Sequence, residues 1–277
     1  MPHVIAEGGV SEGVLRTSLS TFLSRHRDSV AVTVTEAKGS TPREAGALMV
    51  VASGSVFGTI GGGQLEYLAI AKARTMLAGG EDEAKLDVPL GPEIGQCCGG
   101  RVALSLARLT PPRAQALLAG EQTARAAFPE VFVFGAGHVG LALAAALAPL
   151  PLRTRLIDAR SEIDGEVPMG IALDRNPMPE MLVSKLAPGG AAVIVTHDHA
   201  LDFLIAREAL ARDDLAYVGM IGSASKRATF SHWLAREGED VTRLERLILP
   251  IGASPIKDKR PPVIAALVAA ELVCRLL

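Results

Sequence analysis

The run Val131-Phe132-Val133-Phe134 leads directly into Gly135-Ala136-Gly137-His138-Val139-Gly140 and then into a Leu/Ala-rich stretch. This pattern puts three glycines where a strand turns into a helix. The first permits the tight turn, the second lets a pyrophosphate approach the backbone, and the third lets helix and strand pack closely. Amides at the start of the helix then face the anion. Asp158 lies 18 residues beyond Gly140, at the end of the next expected strand, where a carboxylate can accept hydrogen bonds from a ribose diol. Gly135, Gly137, His138, Gly140 and Asp158 are therefore candidate nucleotide-binding residues. The fold does not fix its ligand, so whether the crevice holds a nucleotide is a separate question.

In the same half, His138 and Thr196-His197-Asp198-His199 are the acid/base candidates, the latter at the end of an expected strand that borders the ligand crevice. His197 and His199 with Asp202 also have donor types that suit zinc or iron. The plainer reading, which we favour, has these polar groups capping the following helix, with Asp198 at its N-terminus. Neither Tyr67 nor Tyr217 begins a Tyr-x-x-x-Lys pair of the kind that serves proton transfer beside a nicotinamide.

Three glycine-bearing loops interrupt the apolar pattern of the first half. Gly39-Ser40-Thr41-Pro42-Arg43 offers hydroxyls and a guanidinium fork suited to phosphate. Gly61-Gly62-Gly63-Gln64 joins a strand to a helix, so its amides can form an anion nest or simply a tight turn. In Gly95-Gln96-Cys97-Cys98-Gly99-Gly100, two thiols stand among glycines with little side-chain cover, where neighbouring amides can favour a thiolate and a soft metal suits the sulfur; a buried, inert pair is the alternative. Cys274 falls in an apolar helical run, where core packing is the default.

The elements that must carry these loops follow from periodicity. Apolar spacing over 14–23 reads as an amphipathic helix, followed by β-type runs at 30–35, 48–51 and 56–60, the last two a hairpin about Gly54. A helical run over 65–77 and strand-like pieces at 86–88 and 102–106 complete a mixed α+β unit, residues 1–109. A Pro- and Ala-rich linker, partly helical, occupies 110–129. In 130–277, nearly all-apolar β-type runs at 131–134, 154–157, 171–173, 191–195 and 217–221 alternate with helical ones, the signature of a doubly wound parallel sheet. The fold class is thus α/β: a C-terminal Rossmann-like sheet behind an N-terminal mixed α+β domain. The apolar helix over 261–277 must bury its surface against a domain or a second chain, and a homodimer is the expectation drawn from it.

Composition narrows the functional classes. At roughly 150 residues per domain, 277 residues make two. A hydrophobic fraction of 49% supplies ample core. The net charge of −2 and the scarcity of aromatics, 4%, argue against nucleic acid as a partner. The longest apolar stretches fall short of the ~18 residues that cross a bilayer, so no membrane span is expected. Met1-Pro2-His3 lacks the features of a secretory signal, and three cysteines, two of them adjacent, make no disulfide framework. A cytoplasmic location is the expectation.

Taken in order, Glu36-Ala37-Lys38-Gly39-Ser40-Thr41-Pro42-Arg43, Gly58-Thr59-Ile60-Gly61-Gly62-Gly63 with Leu65-Glu66, and Cys98-Gly99-Gly100 resemble the N-terminal domain of the xanthine dehydrogenase accessory proteins of the XdhC/CoxI type. Gly135 to Gly140, Asp158-Ala159-Arg160, Thr196-His197-Asp198, Tyr217 to Ser223 with Lys226-Arg227, and Pro250-Ile251-Gly252 are similar to the Rossmann half of that family. The resemblance implies a chaperone rather than an enzyme. Such a protein binds the molybdenum cofactor (molybdopterin), protects it, holds it while a cysteine desulfurase installs sulfide on molybdenum, and delivers it to apo xanthine dehydrogenase. On that reading Arg43 and the amides of Gly61, Gly62 and Gly63 take the phosphate or pterin, Cys98 with Gly99 and Gly100 meets the metal end, and the ligand lies in a cleft between the halves. The chain departs from the family pattern in Cys97, which precedes the single expected cysteine, and in Pro255 and Asp258, where relatives carry glycines. Two rival functions remain: an NAD(P)-dependent oxidoreductase with His138 or His197 as acid, and a nucleotide-sensing regulatory protein.

Overall fold

In a computed structural model of the chain, residues 18–91, 99–254, 256 and 258–277 are described. The first helix, α1 (Leu19–Arg25), starts where the Ser18 side chain accepts from the Thr21 amide, later than apolar spacing predicts; positions 14–17 lie outside the described residues. Then follow β1 (Ser29–Lys38), β2 (Leu48–Ala52), β3 (Val56–Gly58), α2 (Gly63–Gly79), β4 (Glu83–Pro89), β5 (Arg101–Arg108) and α3 (Pro111–Ala126). The five strands form an antiparallel sheet in the order β3-β2-β1-β5-β4.

Alternation along β1 sorts its side chains between two cores. Val30, Val32 and Val34 pack with Leu65, Ala69, Ala73 and Met76 of α2, while Ala31 joins Leu19 and Phe22 of α1 and, partly buried, Leu117 and Leu118 of α3. Strand β3 stops earlier than its apolar run because Gly58, at φ 76°, turns the chain where a Cβ would lie 2.6 Å from the Leu48 carbonyl oxygen. Strand β4 is longer than its apolar centre suggests. It is an edge strand whose Glu83, Lys85 and Asp87 are exposed, so only the ladder to β5 reveals its length.

The second half contains β6 (Glu130–Phe134), α4 (His138–Leu147), β7 (Arg153–Asp158), β8 (Ala172–Arg175), a 3-10 helix (Pro179–Lys185), β9 (Ala191–Ile194), α5 (His199–Leu210), β10 (Tyr217–Met220), α6 (Ala224–Arg236), a second 3-10 helix (Val241–Arg246), β11 (Leu247–Ile248) and α7 (Pro261–Leu276). All six strands are parallel, in the order β11-β10-β9-β6-β7-β8. This is a Rossmann-like doubly wound sheet, with its topological switch point between β6 and β9. One face is covered by α5 and α6, including Phe203, Ala206, Phe230 and Leu234, and the other by α4 and α7.

The chain divides into two units, Met1–Gln122 and Thr123–Leu277. Helix α7 buries Ala265, Val268, Ala269 and Leu272 in the core of the second unit, beside Leu143 and Ala144 of α4. Its apolar stripe therefore needs no second chain to cover it. Cys274, expected in the core, faces outward from the same helix and is exposed. Among the described residues no helix is long and apolar enough to cross a membrane.

The tightest constraint on this unit is Gly140, where a Cβ would overlap the carbonyl oxygen of Gly135. Replacing Gly140 with Ala should cost about 3 kcal/mol or more, at the upper end of overpacking penalties, because backbone rather than a side-chain tip must move. Chemical denaturation will show a lowered midpoint; an unchanged midpoint would remove the close approach as a determinant of the fold.

Candidate functional site

At the carboxyl ends of β6, β7 and β9 a small crevice opens, lined among others by Gly135, Asp158, Ala159, Pro179, Thr196 and His197. The glycines there divide by role. Gly135, at φ 115°, donates its N–H to the Ile157 carbonyl at 2.7 Å, and a Cβ on it would sit 2.6 Å from the Val195 oxygen. Gly135 and Gly140 are thus packing glycines. Gly137 is different: a Cβ there would meet nothing within 4 Å, so the backbone before α4 is open to a ligand, as the second glycine of this fingerprint requires. His138 begins α4 and is exposed.

Asp158 ends β7 only 5% exposed, and its carboxylate is filled by its own chain. Oδ2 accepts from the Ala136 amide at 2.6 Å and from Arg160 Nη2 at 3.0 Å; Oδ1 accepts from the Arg160 amide at 2.8 Å and Arg160 Nε at 3.0 Å. Burial alone pushes its pKa up, but the Arg160 side chain, the two amides and the Arg160 charge together hold the carboxyl below its usual range. A ribose diol thus meets an acid whose acceptor positions are already taken.

Beneath the crevice, Asp202 is fully buried. Its Oδ1 accepts from the Thr196 amide at 3.2 Å and lies 2.7 Å from the Thr196 hydroxyl, while its Oδ2 pairs with Lys226, which also donates to the Ile221 carbonyl at 3.0 Å. This network ties the carboxyl ends of β9 and β10 to α5 and α6. It also removes Asp202 from any metal site with His197 and His199, both exposed. Among the described residues no group of three or more His, Cys, Asp or Glu side chains is arranged to hold a metal ion. Asp198 caps α5, accepting from the Ala200 amide at 2.8 Å and the Leu201 amide at 3.4 Å. Tyr217 begins β10, away from the carboxyl ends, and donates its hydroxyl to Glu271 Oε2 at 2.8 Å; burial and that carboxylate push its pKa up, so it stays protonated.

In the first unit, the three glycine-bearing loops come together. A Cβ on Gly61 would lie 2.5 Å from Pro42 Cγ and 3.5 Å from Arg43 Cγ, and one on Gly100 would overlap the carbonyl oxygen of Ser40. The segment 39–43 therefore bridges 61–63 on one side and 99–100 on the other. Gly61, Gly62 and Gly63 all take positive φ, 126°, 76° and 63°. Two of their amides are already engaged: Gly61 donates to Thr59 Oγ1 at 3.1 Å, and Gly62 to Glu66 Oε2 at 2.7 Å, which the Thr59 hydroxyl also reaches at 2.7 Å. The nest holds a carboxylate of its own chain. Arg43 is exposed and makes no ion pair among the described residues, while a Cβ at Gly62 or Gly99 would meet nothing within 4 Å. The thiols of Cys97 and Cys98, Pro255 and the segment 92–96 lie outside the described residues, and Asp258 pairs with Arg260.

Residue patterns alone did not reveal the roles of Glu66, Arg160 and Lys226. For Arg160 the signal was present in the Asp-x-Arg spacing at a strand end, which places a guanidinium back over the carboxylate; for Lys226, no local spacing points to Asp202 on another helix.

An antiparallel α+β unit followed by a Rossmann unit is a recognisable class, and comparison defines it further. Residues 131–272 match the XdhC Rossmann domain, and residues 22–87 match the XdhC and CoxI family. The chain belongs to the XdhC/CoxI family. It is 25% identical over 249 residues to YqeB of Escherichia coli K12, itself described as uncharacterized; the match covers 86% of this chain and 42% of that protein. The fold is shared with a protein from Bacillus halodurans described as a xanthine dehydrogenase, at a TM-score of 0.74 and 18% identity over 92% of this chain and 93% of the other.

The depressed pKa of Asp158 sets a pH dependence. Relative to an unfolded value of about 3.9, a folded carboxyl held lower contributes stability fully above that pH and loses it as pH falls through the folded value. Asp158→Asn should cost about 1–3 kcal/mol at neutral pH, since it leaves the Arg160 charge and the Ala136 amide poorly matched. In urea unfolding from pH 7 to pH 2.5, the gap between wild type and variant should hold above about pH 5 and shrink below about pH 4. A gap independent of pH would show that the carboxylate charge is not what the loop uses.

Proposed function

We propose that the chain is a maturation factor for a xanthine-dehydrogenase-type molybdoenzyme. It binds the molybdenum cofactor as cargo, shields it, holds it for sulfuration by a cysteine desulfurase and passes it to the apoenzyme. Family membership supports the maturation role. The observation that carries the binding role is the convergence of the 39–43, 61–63 and 99–100 loops beside an exposed guanidinium that makes no ion pair among the described residues.

The cargo asks for three kinds of recognition: a charged donor for its phosphate, amide or carbonyl edges for its pterin, and a soft or hydrogen-bonding group for its metal oxyanion. Arg43 supplies the first, with up to five donors in a fixed fork. The backbone at Gly62 and Gly99, where a Cβ would meet nothing within 4 Å, supplies close approach without side-chain obstruction. Cys98, bonded directly to Gly99, supplies the thiol. Glu66 has a complementary use: its carboxylate fixes the glycine turn before any ligand arrives, so less ordering is left for binding. None of these steps requires turnover, and custody with release is sufficient chemistry for the site.

Purification from molybdate-fed cells, with oxidised-pterin fluorescence and bound molybdenum measured on the same sample, tests the reading. Both should co-purify with wild type. Arg43→Ala should retain about tenfold less pterin, the loss of a charge-assisted hydrogen bond, and Cys98→Ala should lose molybdenum. Unchanged molybdenum and pterin in both variants would exclude this loop cluster as the binding site.

A further inference from the structure

The crevice of the second unit carries a specificity that the fingerprint alone does not state. We propose that it selects a ribonucleotide bearing a phosphate on the 2′-hydroxyl over one with a free ribose diol, with Arg160 as the selecting residue. The inference is independent of the cargo bound by the first unit.

Four observations lead there. First, the crevice lies at the switch point of the sheet, and the second fingerprint glycine, Gly137, has open space where a Cβ would be. Second, the acid that would read a diol is spent, because each oxygen of Asp158 already accepts two hydrogen bonds from its own chain. A diol can bind there only by breaking a bidentate charge-assisted pair whose carboxylate side chain is 4% exposed. Third, Arg160 keeps donors in reserve. Its Nε and one Nη2 hydrogen serve Asp158, whereas among the described residues Nη1 has only a 3.7 Å contact with Asp164, a side chain 90% exposed. Such an exposed pair is worth little and is readily exchanged for a phosphate. Fourth, Ile157, Pro179 and Leu201 line the crevice, an apolar surface of the kind a purine face covers, and Met178, next to Pro179, is 54% exposed.

The electrostatics agree in sign. An ionised aspartate at this position would normally repel a phosphate. Here the guanidinium neutralises it at contact distance, so the incoming dianion meets the unused edge of an arginine rather than a bare carboxylate. Arg160 thereby performs two tasks in succession: it closes the carboxylate to a diol, and it offers the opposite edge of its plane to the phosphate oxygens.

The test uses the full chain and two commercial probes that differ only by the 2′-phosphate, 2′,5′-ADP and 5′-AMP, in isothermal titration at low ionic strength, with inorganic phosphate as a control. We expect 2′,5′-ADP to bind about tenfold tighter than 5′-AMP, the scale of one added charge-assisted hydrogen bond. Arg160→Gln should bring the ratio to about one or below, because it removes the phosphate donors and frees Asp158 to accept from the diol. Should that variant fail to fold, Arg160→Lys, which keeps the charge but not the paired donors, should lower the ratio. The proposal is overturned if 5′-AMP binds as well as 2′,5′-ADP, if neither binds at millimolar concentration, if inorganic phosphate competes as well as the nucleotide, or if the preference survives both substitutions.

Discussion

Backbone packed directly on backbone is the constraint on which both units depend. In each, a glycine lets one chain segment approach another more closely than a Cβ allows: Gly140 on Gly135, Gly135 on Val195, and Gly100 on Ser40; at Gly61 the neighbour is the ring of Pro42. These contacts settle where the loops lie. Because interiors pack at crystal-like density, such a loop has little freedom to drift once its glycine is seated. The open glycines, Gly137, Gly62 and Gly99, stand beside the seated ones, so each ligand-facing stretch of backbone is held by a neighbour that cannot move.

A second theme is self-satisfaction. Glu66 accepts from the nest that a ligand anion might have used, Asp158 is held by Arg160, and Asp202 is neutralised by Lys226. Buried or half-buried charges left bare would be costly, so the chain supplies their partners itself. The consequences differ by position. Asp202 is sealed and serves only to fix the strand ends. Arg160 is one-third exposed, and Arg43 is exposed with no ion pair among the described residues, so both can exchange solvent for an anion.

Much of the architecture was legible in the residues. The apolar runs at 131–134, 154–157, 191–195 and 217–221 carry the parallel sheet, since strands buried on both faces need almost continuous hydrophobic sequence. Asp198 declared its cap by type and place. What escaped the reading depends on long-range pairing. The full length of β4 comes from its ladder to β5 and not from its polar edge. Cys274 lies on the outer side of α7, a matter of helical phase that an all-round apolar sequence conceals. At the site, spacing identified each loop separately. Only the fold brings 39–43 between 61–63 and 99–100, and only it shows that the glycine amides are partly engaged by Thr59 and Glu66.

The central claim is that those three loops of the first unit act as one cradle. Hydrogen–deuterium exchange on the full chain, with and without added molybdenum cofactor, tests it most directly. The account predicts that amides in 39–43, 61–63 and 99–100 gain protection together at the same cofactor concentration. Protection confined to the Rossmann crevice, or gained by one of the three loops without the others, would contradict it.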